Sequence, residues 1–274
     1  MKKPRIGIII DKHHLENKVS KFLKILKTKA KVAFYLEESY LLNNDDLNFD
    51  VDLFFVKGKG KLIVAMTRMI ENETSIPVIN SYKGIWLSIN RFMNSLILKN
   101  GGISIPDFSL IPSHYQSPFP DYIIKNIIDQ KTYSFKPNIL REDGCLKISD
   151  ERAIEECNGR NEKYQYFYYQ KFIKSKWEYK VYGFGDNLYF YKQLPVLVNP
   201  NKIETRREIE EIPELKETVL KAMKILDLKV ASLDFLKSKE DQYYLTDINS
   251  TPNFNYIKDG PRIMADFLIE QTRN

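Results

Sequence analysis

The sequence predicts an α/β fold that begins with a small parallel N-terminal lobe. Three observations carry this expectation. Strand-like and helix-like runs alternate from Arg5 to Ile89, two β-hairpin patterns lie between Glu178 and Ile248, and the 274 residues are 43% hydrophobic. That is enough apolar material for a sizeable core, in one large domain or in two to three small lobes.

Arg5 to Ile10 reads as a buried first strand ending at Asp11-Lys12-His13-His14. From Leu15 to Lys27, Val19, Phe22, Leu23 and Leu26 recur at helical spacing. Val32 to Leu36 and Val51 to Val56 are further strands. Leu62 to Ile70 is a helix that follows Lys57-Gly58-Lys59-Gly60-Lys61. In a parallel sheet the functional loops gather at the strand C-termini. Lys12, His13 and His14 are therefore expected near Lys57, Lys59 and Lys61 on one edge. Cationic donors clustered there suit a phosphorylated or polyanionic ligand, and two unrelated basic loops are the plain alternative. K-G-K-G-K lacks the order G-x-x-x-x-G-K-[ST], so it is not a Walker P-loop.

Pro77 to Asn80 is a short strand, and Ser81 is an N-cap for a helix over Tyr82 to Ile89. Asn90-Arg91 opens a second helical run to Lys99, closed by Gly101-Gly102. Ile103 to Ile111 is extended, and Phe119 to Lys125 is a strand with a lysine at its end. Residues 126–136 contain no glycine. Pro137 to Lys163 is charged and weakly patterned, with a short helix expected around Arg152 to Cys157. Tyr166 to Ile173 is an aromatic strand. Glu178 begins a hairpin that turns at Gly185-Asp186-Asn187 and returns through Leu188 to Tyr191. Pro213 to Leu226 is an amphipathic helix whose stripe of Leu215, Val219, Met223 and Leu226 belongs in the core.

Val230 to Leu236 and Tyr243 to Ile248 flank the turn-like Lys237 to Asp241, which makes the second hairpin. Each strand carries a carboxylate where an apolar residue is expected, Asp234 on the first and Asp247 on the second. Asn249 lies two residues beyond Asp247, so both side chains emerge on one face. Two carboxylates and a carboxamide oxygen form a hard-oxygen set, which suits Mg²⁺ when nucleotide phosphates complete its shell.

Asp234, Asp247-Ile248-Asn249 and Pro252 resemble the metal-binding hairpin of the ATP-grasp superfamily. The resemblance implies a fold of three lobes, an N-terminal lobe over residues 1–83 and two lobes, 84–168 and 169–274, that clamp ATP. It implies Mg²⁺, one or two ions, on Asp234, Asp247 and Asn249. Lys125 matches the lysine that contacts the ATP phosphates, and Arg91 a basic residue that reaches them. Gln170, Lys171, Phe172 and Ile173 match the adenine hinge. Lys180 matches the basic residue that stabilises the transferring phosphoryl group, and Lys192 on the return strand is expected to join it. Two departures stand out: Asn253 replaces the usual glycine after the proline, and the glycine-rich phosphate loop is missing at 126–136, where Lys131, Ser134 and Lys136 are its expected substitutes.

Within the superfamily the hinge and hairpin pattern, with Tyr179-Lys180-Val181-Tyr182, Gly185 and Asp186, is similar to the inositol 1,3,4-trisphosphate 5/6-kinases. That likeness implies a kinase with Lys180 and Asp247 as catalytic residues. Lys12, His13, Lys18, Lys57 and Lys59 would hold the acceptor's phosphates and Asn253 would touch the acceptor. RimK-like carboxylate–amine ligases, which act through an acyl phosphate, are the alternative.

The chain carries 42 basic and 36 acidic residues, a net charge of +6 that invites an anionic partner without identifying it. The aromatics sit in strand-like runs rather than along an exposed basic stripe, which argues against nucleic acid. No apolar run approaches the ~20 residues of a membrane span. Cys145 and Cys157 have neither metal nor disulfide spacing, so a cytoplasmic setting is expected. The expected partner is a small anionic substrate, and the expected state a monomer or small homo-oligomer.

Overall fold

The structure is a computed structural model that describes residues 3–39, 49–112, 117–125, 127–128, 139–141, 166–195, 199 and 201–273. Its first sheet has the order β2-β1-β3-β4, from strands β1 (Arg5–Ile10), β2 (Lys31–Leu36), β3 (Leu53–Lys57) and β4 (Val78–Ile79), all parallel. Both faces of this sheet are covered, which is why β1 reads as an unbroken apolar run. Ile6, Ile8 and Ile10 pack with Phe22 and Leu26 of helix α2 (Ser20–Lys29). Ile9, Phe54 and Val56 pack with Ile63, Met66 and Ile70 of helix α3 (Lys61–Glu73).

Lys12-His13-His14, expected to end the first strand ahead of a helix from Leu15, instead open the first helix, α1 (Lys12–Asn17). Asp11 caps it by accepting a hydrogen bond from the His14 N–H at 2.8 Å. Helices α4 (Tyr82–Ile89) and α5 (Arg91–Asn100) follow, capped by Ser81 and Asn90, whose side chains accept from the N–H groups of Gly84 and Met93.

A second, antiparallel sheet has the order β5-β8-β6-β7, with β5 (Phe108–Pro112), β6 (Asp121–Lys125), β7 (Ile139–Arg141) and β8 (Tyr166–Lys171). The third has the order β11-β10-β9-β12-β13, from β9 (Glu178–Phe184), β10 (Asn187–Gln193), β11 (Arg207–Glu208), β12 (Val230–Lys237) and β13 (Tyr243–Asn249). Gly185, at φ 58°, makes the tight turn between β9 and β10. One face of this sheet packs Val181, Leu233, Phe235 and Ile248 against helix α6 (Pro213–Leu226). Tyr182, Phe184 and Val230 on the other face join the N-terminal core and helix α7 (Gly260–Gln271).

Asn80 ties the lobes together. It is 1% exposed, and its Oδ1 accepts from the N–H groups of Lys229 and Val230 while its Nδ2 donates to the carbonyls of Val230 and Ser250. The short helix expected around Arg152 to Cys157 lies outside the described residues. Among those residues no helix is long and apolar enough to cross a membrane.

Candidate active site

Lys180, Asp234 and Asp247 form one row across three adjacent strands: Lys180 pairs with Asp234, and Asp234 with Asp247. Ser232, two residues earlier on β12, sits opposite Asn249. Alternation therefore brings Lys180, Asp234, Asp247 and Asn249 to a single face. A β-bulge next to this row makes it possible. Pairing steps from Asp234↔Asp247 to Phe235↔Leu245, so Thr246 is the extra residue. Leu245 thereby enters the core with Ile248 although it lies only two residues from Asp247.

Lys180 Nζ donates to Asp234 Oδ1. Burial pushes the Asp234 carboxyl up, but the charges of Lys180, Lys202 and Arg206 and the hydrogen bond from Lys180 outweigh it, and the group is held below its ordinary value. Asn249 Oδ1 accepts from Thr251 N at 3.0 Å. Among the described residues no three His, Cys, Asp or Glu side chains make a metal cage of their own. The donor set of two opposed carboxylates and a carboxamide oxygen still fits Mg²⁺, provided that phosphate oxygens supply the rest.

Beside the row, Arg91, Ser95, Lys125, Tyr168, Thr246 and Asp247 line a small cleft. Arg91 is the first residue of α5, and its N–H donates to Ile127 O at 2.8 Å. Its Nε lies 3.8 Å from Asp247 Oδ1. Lys125 ends β6 and donates to Thr246 O, the carbonyl at the bulge, at 2.6 Å. Burial pushes the Tyr168 phenol up to about 12, so it stays neutral and exchanges a 2.8 Å hydrogen bond with Ser95. The cleft thus brings together Arg91, Lys125 and Asp247 from three segments of the chain.

The expected hinge closes this region. Gln170 is buried and its Nε2 donates to Tyr168 at 3.4 Å, whereas Lys171 points outward to Asp107 at 3.4 Å. The N–H groups of Lys171 and Phe172 are spent on the carbonyls of Asp107 and Asp121. Phe172 and Ile173 are half-buried.

Two expectations about side-chain position are corrected. Lys192 does not join Lys180: it pairs with Tyr179, and Lys180 pairs with Tyr191, so Lys192 emerges on the opposite face. There its ammonium lies 5.5 Å from the Trp177 ring. Lys57 is not on an open basic edge but 1% exposed. Its Nζ donates to Thr251 O at 2.7 Å and Pro252 O at 2.5 Å and lies 5.1 Å from the Phe254 ring. It braces the segment that follows β13.

The rest of that edge is also less open to anions than expected. Glu38 accepts from the N–H of Lys12, the start of α1, at 2.9 Å. Glu37 accepts from Leu62 and Ile63, the start of α3, at 3.2 and 3.4 Å. The protein's own carboxylates therefore occupy helix N-termini that would otherwise attract phosphate. Lys12 and His13 are exposed, and Lys12 lies 3.9 Å from Glu16; Lys18 and Lys59 are half-buried. Lys18 O accepts from Asn255, and Asn253 Oδ1 caps the short turn after the hairpin by accepting from the Asn255 N–H.

Three residues to which the sequence assigns no functional role stand on the Lys180–Asp234 face. Glu178 is buried, and its Oε1 accepts from Gln193 Nε2 and, at 2.9 Å, from Lys202 Nζ. Burial, then the nearby Asp234, pushes its carboxyl above the usual range against the pull of Lys202 and Lys180. Arg206 donates from Nε to Gln193 Oε1 at 2.6 Å and from Nη1 to the Tyr182 hydroxyl at 2.8 Å. Lys202 and Arg206 come from a short 3₁₀ turn and the residue after it, which show no periodicity in sequence.

No protein-family model and no curated protein sequence matches the chain. Solved structures do. D-alanine–D-alanine ligase from Bacillus anthracis, complexed with ATP, superposes with a TM-score of 0.70 at 15% identity over 98% of this chain and 97% of its own. The ATP-grasp ligase PsnB, complexed with minimal precursor, Mg and ADP, gives 0.69 at 14% identity over 98% of both chains. A RimK domain ATP-grasp protein from Sphaerobacter thermophilus gives 0.69 at 11% identity over 97% and 99%. The chain has the ATP-grasp fold, a mixed architecture of one parallel and two antiparallel sheets among the described residues.

Proposed function

We propose that the protein is an ATP- and Mg²⁺-dependent carboxylate–amine ligase that works through an acyl phosphate. The observation that carries this reading is the row Lys180–Asp234–Asp247 beside the cleft of Arg91 and Lys125. Three cations and two carboxylates from separate segments meet where a nucleotide triphosphate and its ion can be held together.

In this reading Arg91 and Lys125 grip the ATP phosphates, and Gln170 to Ile173 border the base. Asp234, Asp247 and Asn249 hold Mg²⁺, which when bound neutralises charge on the β- and γ-phosphates. A carboxylate oxygen of the acceptor attacks the γ-phosphorus and the bond to the ADP oxygen breaks. Lys180 moves from Asp234 to the transferring group and offsets its charge. The amine of the second substrate then attacks the acyl carbon, loses a proton and expels inorganic phosphate.

The inositol phosphate kinase reading has less support. Its phosphate-rich acceptor needs an open cationic edge on the N-terminal lobe. Lys57 is buried there, and Glu37 and Glu38 fill the helix N-termini. The ligase reading also agrees with the neighbours, which are ligases, one of them complexed with a peptide precursor. A carboxyl on a peptide is therefore a reasonable acceptor beside a free acid.

Purified protein with Mg²⁺-ATP, a panel of carboxylic acids and hydroxylamine as the amine tests the proposal. Carboxylate-dependent hydroxamate together with free phosphate is the expected result. Phosphate retained on an inositol phosphate, with no hydroxamate from any acid, overturns it. Asp247→Asn should abolish ATP turnover, and unaltered turnover would remove the metal assignment.

A further inference from the structure

Nothing in the ATP reading uses Lys202 or Arg206, yet both are fixed in place on the active-site face. Glu178, Lys180 and Tyr182 alternate along one side of β9, and Gln193 pairs with Glu178 across β10. Gln193 is fully buried, Tyr182 is 1% exposed and Glu178 is buried. These fixed groups hold Lys202 through Glu178, and Arg206 through Gln193 and the Tyr182 hydroxyl. The guanidinium also lies 5.1 Å from the ring of Tyr256, which is exposed at the rim, and 5.9 Å from that of Tyr182.

Arg206 is thus ordered before any ligand arrives, which lowers the cost of binding one. Its Nε–H and one Nη1–H are spent on neutral oxygens, and among the described residues no carboxylate pairs with it. Three N–H groups remain, one on Nη1 and two on Nη2, and the planar guanidinium matches a carboxylate. The residue that holds Nη1 is set off along the strand from Lys180. Tyr182 lies two residues beyond Lys180 on the same face, a step of about 7 Å along the strand.

We propose that Arg206, with Lys202 beside it, binds a second carboxylate of the acceptor, distinct from the one that takes the phosphoryl group. The substrate class is then a dicarboxylic acid, free or as the C-terminal acidic residue of a peptide. This inference rests on the ligase reading above and names the specificity of that same site.

The experiment compares succinate, glutarate and L-glutamate with acetate and butyrate as acids in the hydroxamate assay, with O-phosphoserine as a phosphate-bearing acid. The native enzyme should favour a dicarboxylate by about tenfold or more in kcat/KM, since a site built around a paired charge rejects the analogue that lacks it. Arg206→Gln should erase that preference by raising the dicarboxylate KM, so that the dicarboxylate kcat/KM falls about tenfold more than the monocarboxylate kcat/KM. A purely structural role would lower all acids alike, and that result overturns the proposal, as does a preference for O-phosphoserine. If Arg206→Gln does not fold, Lys202→Met decides: an unchanged dicarboxylate preference overturns the assignment. If no acid yields hydroxamate while ATP is consumed on another acceptor, the ligase reading itself has failed and takes this one with it.

Discussion

Asn80 offers the sharpest test of how the lobes are joined. Its carboxamide makes four hydrogen bonds with backbone groups of Lys229, Val230 and Ser250, and the residue is 1% exposed. The partners leave no freedom in its orientation, because two are N–H donors and two are carbonyl acceptors. Asn80→Ala removes all four bonds. At about 0.5–1.5 kcal/mol for each neutral bond, the expected loss is roughly 2–6 kcal/mol. For a chain of this size that corresponds to a fall in Tm of at least about 3 °C. Asn80→Asp keeps the shape and the two accepting bonds but turns a buried carboxylate oxygen toward two carbonyls. It should therefore be the worse of the two despite the smaller structural change. Urea unfolding followed by the fluorescence of Trp86 and Trp177 measures both variants. An Asn80→Asp variant as stable as native, or an Asn80→Ala variant within about 0.5 kcal/mol of it, would refute the four-bond account.

Three further outcomes are expected. Ser232 Oγ is buried with no hydrogen-bond partner among the described residues, so Ser232→Ala should leave stability unchanged or raise it by up to about 1 kcal/mol in the same assay; a clear loss would mean the hydroxyl is engaged. Lys180 competes with a cation for Asp234, so Lys180→Met should tighten Mg²⁺ binding in the absence of nucleotide, by calorimetry, while abolishing turnover; weaker binding would count against the shared carboxylate. Burial, opposed by hydrogen bonds from Ile63 and Leu62, raises the Glu37 carboxyl above 4.5. The folded state then holds a proton that the unfolded chain has lost, so the contribution to stability is complete below pH 4.5 and declines as pH rises through the folded value. Native stability relative to Glu37→Gln should therefore fall with rising pH just above 4.5, and a difference that grows with pH contradicts this sign.

The hairpins were the most legible part of the fold because strand alternation is visible in the residues themselves. Asp234 and Asp247 interrupt apolar runs, and a two-residue turn at Gly185-Asp186 sets the pairing of β9 with β10. That same turn already implied that Lys192 faces away from Lys180, since its register makes Tyr191 the partner of Lys180. Lys57 was not legible: its ammonium is satisfied by carbonyls 194 and 195 residues away, and a local K-G-K-G-K run looks like surface. Helix α1 was hidden because it is only six residues long and begins with residues that also suit a turn. Lys202 and Arg206 escaped for a related reason, since their segment has no repeat and only its partners Glu178, Gln193 and Tyr182 give it a place.

The bulge at Thr246 also governs which length changes the hairpin can absorb. A residue added or removed in the exposed tip at 238–242 alters a loop and leaves the pairing of Asp234 with Asp247 intact. The loss of Thr246 alone restores an unbroken ladder. Leu245 and Asp247 would then be adjacent and forced to opposite sides of a shifted strand, so that either the core receives a carboxylate or the face of Lys180 and Asp234 receives a leucine. Insertions and deletions among natural variants should therefore collect at the tip and spare position 246.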